Sequence, residues 1–117
     1  RLSIFTNPNL LDAQRLLNFP PIKILIKIYS KMVNESAIKV IRSSGLFDKD
    51  YYLEHNPDVA TSGMDALRHF VYFGWKELRK PNINFNIAEY IQKYPEIVES
   101  GINPLVHHIR RQKKDHE

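Results

Sequence analysis

The stretch FDKDYYLEHNPDVATSGMDALRHFV, residues 47–71, recurs 38 residues later in the chain as FNIAEYIQKYPEIVESGINPLVHHI, residues 85–109. The two stretches are identical at seven of 25 positions in one ungapped register. The identical pairs are Phe47/Phe85, Tyr52/Tyr90, Pro57/Pro95, Ser62/Ser100, Gly63/Gly101, Leu67/Leu105 and His69/His107. Because phenylalanine, proline, glycine and histidine all coincide, the pattern indicates an internal duplication, with copies at residues 47–83 and 85–113.

Each copy contains the residue types that begin and end two short helices separated by a turn. Asp48 and Asn86 stand where a side chain caps the free amides of a helix start. Pro57 and its counterpart end the first helix, because the residue before a proline avoids the α region. Gly63 and Gly101 suit a left-handed residue in the turn. The sequence therefore predicts helix, turn, helix in each copy.

The second helix of each copy is predicted to begin after a capping Asp65 or Asn103. In copy one this helix is predicted to run through ALRHFVYF to Gly74, read as the left-handed glycine that follows many helices. Trp75 is then expected to pack back on the helices. The predicted fold is an all-α small bundle of two helix-turn-helix repeats with a period of 38 residues, completed by N-terminal helices.

The positive charge of the 117-residue chain lies in its N-terminal part. Residues 1–45 hold seven Lys/Arg and two acids, a balance of +5, whereas residues 46–117 hold ten and eleven, a balance of −1. We therefore divide the chain into a basic N-terminal helical segment, 1–45, and a duplicated repeat domain, 46–117. There is no cysteine, which excludes a disulfide scaffold and thiol catalysis. A start at Arg1 rather than Met suggests a piece of a longer polypeptide.

The N-terminal segment is predicted to contain helices on both sides of a proline pair. NPNLLDAQRLLNF, residues 7–19, has leucines at helical spacing after a capping Asn7 and Pro8. Pro20-Pro21 ends this helix and can open the next one. ESAIKVIRSSG, residues 35–45, adds further helical turns.

IKILIKIYSKMVN, residues 22–34, combines an apolar run with regularly spaced lysines. Lys23, Lys27 and Lys31 recur every fourth residue, which predicts a helix with a basic stripe. Most of the other positions are apolar, including Ile24 and Ile28. Three interpretations stay open. Residues 22–33 pack as a core helix with lysines at the solvent edge, or they lie at a membrane surface with the lysines on anionic headgroups. In the third, they form a coiled-coil or oligomer seam.

Candidate catalytic and metal-binding residues are few. His69 and His107 occupy equivalent positions in the two copies, which favours a structural role over a metal site or general base. A structural role is likewise expected for the other residues that are identical in the two copies. The sequence contains no glycine-rich phosphate loop, no G-x-S-x-G and no H-E-x-x-H. We expect no catalytic residue, no metal and no cofactor in this chain.

Aromatic residues of copy one provide the candidates for glycan contact. Tyr51, Tyr72 and Trp75 would form a sugar-stacking platform if exposed, although aromatic residues at helical spacing also form cores. The basic C-terminal run HHIRRQKKDHE, residues 107–117, is read as a solvated helix end rather than a nucleic-acid site. Nucleic-acid binding is not expected, because the basic excess lies beside aliphatic residues rather than interleaved aromatics.

The chain resembles tandem repeats that are found beside bacterial glycosyltransferase domains of surface-polysaccharide assembly, such as O-antigen and capsule. The resemblance covers about residues 44–110 and is carried by the motifs FDKDYYLEHNPDV and GMDALRHFVYFGWKELRKPN. The chain departs from that pattern at Ala66, where proline is usual, at Leu78, where glycine is usual, and at Glu89, where a first tyrosine is usual. The resemblance carries no catalytic residue with it.

The resemblance implies a non-catalytic accessory or connecting domain of a larger glycosyltransferase. Such a domain would position the catalytic domain against a partner protein, the membrane face or the growing glycan. It implies a bacterial cytoplasmic location, at the inner face of the cytoplasmic membrane. A carbohydrate-binding module and a peripheral membrane domain using residues 22–33 are the two alternatives.

Overall fold

The structure, a computed structural model, describes residues 10–116 and the side chains from residue 13 onward. The capping role predicted for Asn7 lies outside the described residues. The α-helices are α1 Leu10–Asn18, α2 Pro20–Ser44, α3 Lys49–His55, α4 Pro57–Ser62, α5 Ala66–Tyr72, α6 Ile87–Lys93, α7 Glu96–Ser100 and α8 Pro104–Asp115, with a 3₁₀ helix at Gly74–Glu77. Within this range the only β pairing is a single bridge between Asn82 and Phe85. The all-α prediction is confirmed.

The chain divides into two compact units, one ending at Val33 and one beginning at Asn34. This division falls within α2, a continuous helix where the sequence suggests two separate helical segments. In the first unit, α1 ends at Asn18 and Pro20-Pro21 begins α2, as predicted. In the second unit, Ala37, Ile38 and Ile41 of α2 are buried. The hydrophobic core of that unit therefore begins well before residue 46.

The core of the second unit draws on both copies. Its fully buried large side chains include Tyr52 and Phe70 of copy one and Ile87 and Leu105 of copy two. Trp75 is partly buried and packs against this core, as expected. Burial of such apolar area is the main favourable term in folding, so the two copies and the end of α2 stabilise one another.

The helix caps lie where the sequence predicts. The side chain of Asp48 accepts the backbone N–H of Tyr51, and Asn86 accepts that of Glu89 in the same way. Asp65 and Asn103 cap the second predicted helix of each copy. These contacts satisfy helix N–H groups that would otherwise lack partners.

The turn predicted between the two helices is instead a third short helix in each copy. Pro57 is the first residue of α4, and Pro95 is the N-cap residue of α7. A proline cannot continue the helix before it, but its fixed φ and missing N–H suit the start of the next one. The same proline therefore ends one helix and begins another, so that each copy contains three helices.

The glycine pair Gly63 and Gly101 has the predicted backbone conformation but a different place in the fold. Their φ angles are 76° and 68°, so both residues are left-handed as expected. Each one is the C-cap of the additional short helix, α4 or α7, rather than part of an open turn. Both are exposed, and a Cβ atom added at Gly101 would meet nothing within 4 Å. The structural role of Gly101 is therefore its positive φ alone, and it takes no part in core packing.

Gly74 does not have the predicted role of a left-handed glycine. Helix α5 ends at Tyr72, Gly74 begins the 3₁₀ helix, and its φ is not positive. A Cβ atom at Gly74 would overlap the hydroxyl group of Tyr52 and lie 3.5 Å from Phe70. Glycine is needed here because the backbone passes directly over a buried tyrosine. The left-handed residue comes later, at Leu78, with a φ of 62°.

The Gly74→Ala substitution is expected to destabilise the protein by about 1–3 kcal/mol, because the Tyr52 ring is buried and has little space to move. Chemical denaturation followed by circular dichroism measures this loss. Tyr52→Phe alone is expected to cost about 1 kcal/mol through a lost hydrogen bond. In the Tyr52→Phe background, Gly74→Ala should cost less than in the wild type. Equal costs in the two backgrounds would contradict the contact.

Candidate functional site

A tyrosine and a histidine form the same hydrogen bond inside each copy. The hydroxyl oxygen of Tyr52 lies 2.8 Å from Nδ1 of His69, and that of Tyr90 lies 2.6 Å from Nδ1 of His107. The sequence predicts a structural role for these histidines but not this partner. The equal spacing of 17 residues between tyrosine and histidine was the available signal.

Burial sets the protonation of the copy-one pair. It raises the pKa of Tyr52 to about 12, and it also lowers the pKa of His69, with the Arg79 charge as a second cause. Near neutral pH both side chains are therefore uncharged, and the histidine tautomer sets which of them donates. Burial also raises the pKa of Tyr90 to about 12. A pair that burial keeps uncharged is consistent with the structural role predicted for His69.

The three candidate glycan-contact residues are partly buried and engaged with neighbours. The Tyr51 ring stacks on His55 with 4.0 Å between the ring centres. The Tyr72 hydroxyl donates to Glu35, and Trp75 packs against the core. These contacts do not test glycan binding, so the role of the three residues in it stays a prediction.

A charged cluster in the second unit joins α2 to α5. Glu35 accepts hydrogen bonds from the guanidinium group of Arg68 and, at 2.7 Å, from the hydroxyl of Tyr72. The bond to Glu35 raises the pKa of both donors. The sequence analysis missed this cluster. Its signal was Glu35 itself, the only acid between Asp12 and Asp48.

An open groove of 480 Å³ lies in copy two. One wall comes from the residues before α6 and one side of α6 itself, and the other comes from α8 after His107. The lining includes Tyr90, Tyr94, His108 and Arg111. The Arg111 guanidinium lies 4.7 Å from the Tyr94 ring centre, which is a cation–π distance. Burial lowers the pKa of His108, and Arg111 contributes to this shift. The sequence predicts no site here, because its aromatic candidates for glycan contact lie in copy one.

The first unit has an exposed apolar helical surface, which we call the α2 apolar face. The exposed fractions of its members lie between 43% and 70%. The members are Ile24, Leu25, Ile26, Ile28, Tyr29, Met32 and Val33. Lys23, Lys27 and Lys31 are also exposed and lie within about 80° of the helix circumference, beside this face. Among the described residues of the first unit, residues 22–33 are not buried as a core helix. Leu16, Leu17 and Phe19 are exposed as well.

No helix among the described residues is long and apolar enough to cross a bilayer. Within the same range, no three histidine, aspartate or glutamate side chains come together as a metal-binding group. Compared with protein-family models, curated proteins and solved structures, the chain gives no significant match.

The unfolding free energy is expected to fall as the pH decreases from about 7.5 to about 5.5. Because the pKa of His69 is lowered from 6.5, the folded state binds its proton more weakly than the unfolded state does. The contribution of His69 to the unfolding free energy is therefore complete above pH 6.5 and decreases as the pH falls below that value. His108 acts in the same direction. Urea unfolding at the two pH values measures the change.

A His69→Gln variant should show a smaller pH-dependent loss than the wild type, because glutamine does not titrate. A His116→Gln variant alters an exposed histidine and serves as the matched control. It is expected to keep the wild-type pH dependence. An undiminished loss in His69→Gln would contradict the lowered pKa of His69 as its cause.

Proposed function

We propose that this chain is a non-catalytic accessory region of a bacterial glycosyltransferase of surface-polysaccharide assembly, and that its first unit attaches to an anionic membrane surface. The observation that carries the proposal is the α2 apolar face with its adjacent lysine stripe. The duplicated repeat domain then serves as a compact module that connects the attachment segment to other domains or proteins.

The α2 apolar face is too large to be an ordinary solvated surface. Seven large apolar side chains are adjacent on one helix, and each is at least 43% exposed. Contiguous apolar patches of this kind mark protein or membrane contacts. An amphipathic helix lying in the membrane interface buries such a face among the lipid chains and keeps its basic residues at the headgroups.

The distribution of charge favours an anionic lipid surface over an apolar protein partner. Residues 1–33 contain five Lys/Arg and one acid, a balance of +4, and residues 34–117 contain twelve of each, a balance of 0. The net charge of the whole chain thus belongs to the unit that has the apolar face. Lysines beside anionic lipid contribute about 1 kcal/mol each.

The glycosyltransferase context rests on the likeness of the repeats. The motifs FDKDYYLEHNPDV and GMDALRHFVYFGWKELRKPN resemble repeats that accompany such enzymes in bacteria. An accessory domain attached to the membrane would position the catalytic domain at the membrane face. The cytoplasmic leaflet is the anionic surface that fits the lysine stripe.

Co-sedimentation with liposomes tests the membrane attachment. The wild-type chain is expected to bind vesicles containing anionic lipid and to bind neutral vesicles much less. Replacing Lys23, Lys27 and Lys31 by glutamate should weaken this binding by at least about 3 kcal/mol, on the order of a hundredfold. Circular dichroism verifies that the variant remains folded.

Two further variants separate charge from apolar contact. Replacing Lys49, Lys76 and Lys114 by glutamate makes the same change of charge at exposed positions of the second unit. This variant should lose far less vesicle binding than the variant at Lys23, Lys27 and Lys31. Glutamine at Ile24 and Ile28 should weaken binding while leaving the charge intact. Equal loss in both triple-lysine variants would indicate nonspecific attraction and contradict the assigned surface.

The non-catalytic part of the proposal predicts that the chain neither binds nor hydrolyses nucleotide sugars. Isothermal titration with a panel of uridine, guanosine and thymidine diphosphate sugars measures binding, and product analysis measures turnover. Saturable binding accompanied by turnover would contradict an accessory role. The Gly74→Ala variant is no substitute for this test, because it changes stability rather than a substrate contact.

A further inference from the structure

The sulfur atoms of the chain belong to two methionines, since there is no cysteine. Met32 lies on α2 in the first unit and is 65% exposed. Met64 lies between α4 and α5 in the second unit and is partly buried. An oxidant in solution reaches an exposed thioether more readily than a partly buried one, so Met32 is the sulfur that reacts first.

Met32 lies near the middle of the α2 apolar face. At about 3.6 residues per turn, the seven members of this face span roughly 200° of the helix circumference, and Met32 is about 20° from the midpoint. The lysine stripe is centred on Lys27, roughly 140° from Met32 around the helix. Ile28 and Tyr29 precede Met32 by one helical turn, and both are exposed beside it. A contact made by this face therefore includes Met32 near its centre.

Oxidation of a methionine changes its polarity without changing its charge. A hydroperoxide transfers one oxygen atom to the sulfur, so that an S–O bond forms and the O–O bond breaks. The thioether loses two electrons, and the hydroperoxide is reduced to an alcohol, or to water if it is hydrogen peroxide. The thioether is apolar and flexible, whereas the sulfoxide is polar and accepts hydrogen bonds. An acceptor that finds no donor is unfavourable in an apolar environment.

We propose that Met32 is a redox-sensitive contact of the α2 apolar face, and that its oxidation to the sulfoxide by a hydroperoxide releases the first unit from an anionic membrane. This inference rests on the membrane attachment proposed above. The reduced side chain lies among the lipid chains, where the oxygen of the sulfoxide has no hydrogen-bond donor. The release is reversible, because sulfoxide reductases restore the thioether.

The lysine stripe keeps its charge when Met32 is oxidised, so the two contributions to membrane binding can be separated. Oxidation removes an apolar contact and leaves the attraction between the lysines and the anionic headgroups. The oxidised chain is therefore expected to bind anionic vesicles about tenfold more weakly, the effect of losing one large apolar side chain from the contact. The residual binding should disappear at high salt, because dissolved ions screen the attraction between charges.

Co-sedimentation of the whole chain with vesicles of phosphatidylglycerol and phosphatidylcholine tests the release. In a Met64→Leu variant Met32 is the only sulfur, so hydrogen peroxide produces a single sulfoxide, which mass spectrometry verifies. After removal of the peroxide, this variant should bind about tenfold more weakly than before the treatment. The two methionine sulfoxide reductases, one for each epimer, should together restore its binding.

A Met32→Leu variant is the matched control. Leucine keeps the apolar contact and has no sulfur, so this variant should bind equally well before and after the peroxide treatment. Circular dichroism verifies that both variants stay folded when they are treated. Equal binding of the Met64→Leu variant before and after oxidation would overturn the role of Met32. An equal loss in treated Met32→Leu would overturn it too, because the loss would then come from another position.

The rate of oxidation in the wild-type chain gives a second measurement. Anionic vesicles should slow the oxidation of Met32, because lipid covers its sulfur, and should leave the rate at Met64 unchanged. Neutral vesicles should change neither rate much. If the unoxidised chain does not bind anionic vesicles, the membrane attachment itself is contradicted, and the role of Met32 is contradicted with it. Binding that persists undiminished after oxidation contradicts the role of Met32 alone.

Discussion

Each repeat contains a tyrosine whose hydroxyl group bonds to a histidine of the same copy, and in copy one this tyrosine is fully buried and needs a partner inside the protein. The side chain of Tyr52 is fully buried, and an unpaired hydroxyl there would cost about 1–3 kcal/mol. His69 supplies the partner 17 residues later, and the same pair recurs in copy two. The chain must therefore turn back on itself between the two residues. A proline that separates two helices and a left-handed glycine that ends the second, Gly63 or Gly101, produce this reversal.

The surroundings of the tyrosine also explain why the two copies differ. In copy one the backbone at Gly74 passes directly over the Tyr52 hydroxyl, so only glycine fits and the chain leaves the helix there. The chain then returns through Arg79 to Asp58 and covers its own flank. In copy two Gln112 occupies the position of Gly74, and α8 continues to Asp115. The last helix of the module is therefore interrupted in copy one and continuous in copy two.

Helix α2 contains two kinds of apolar surface. Its residues after Asn34 contribute Ala37, Ile38 and Ile41 to the core of the second unit, where burial stabilises the fold. Its residues before that point expose the α2 apolar face in the first unit. Apolar area in water is unfavourable wherever it lies. This exposed apolar area and the lysine stripe beside it are the features on which the proposed membrane attachment rests.

The sequence by itself determined the local features: the duplication, the helix caps at Asp48 and Asn86, the positive φ of Gly63 and Gly101, and the all-α class. These follow from residue type and spacing within a few positions, because backbone sterics and capping bonds act over that range. Only the tertiary structure decided that Gly74 is required by the Tyr52 hydroxyl, that Glu35 binds Arg68 and Tyr72, and that copy two has an open groove. Those features depend on which distant side chains meet. The meeting is set by packing of the whole unit, and no local pattern in the sequence encodes it.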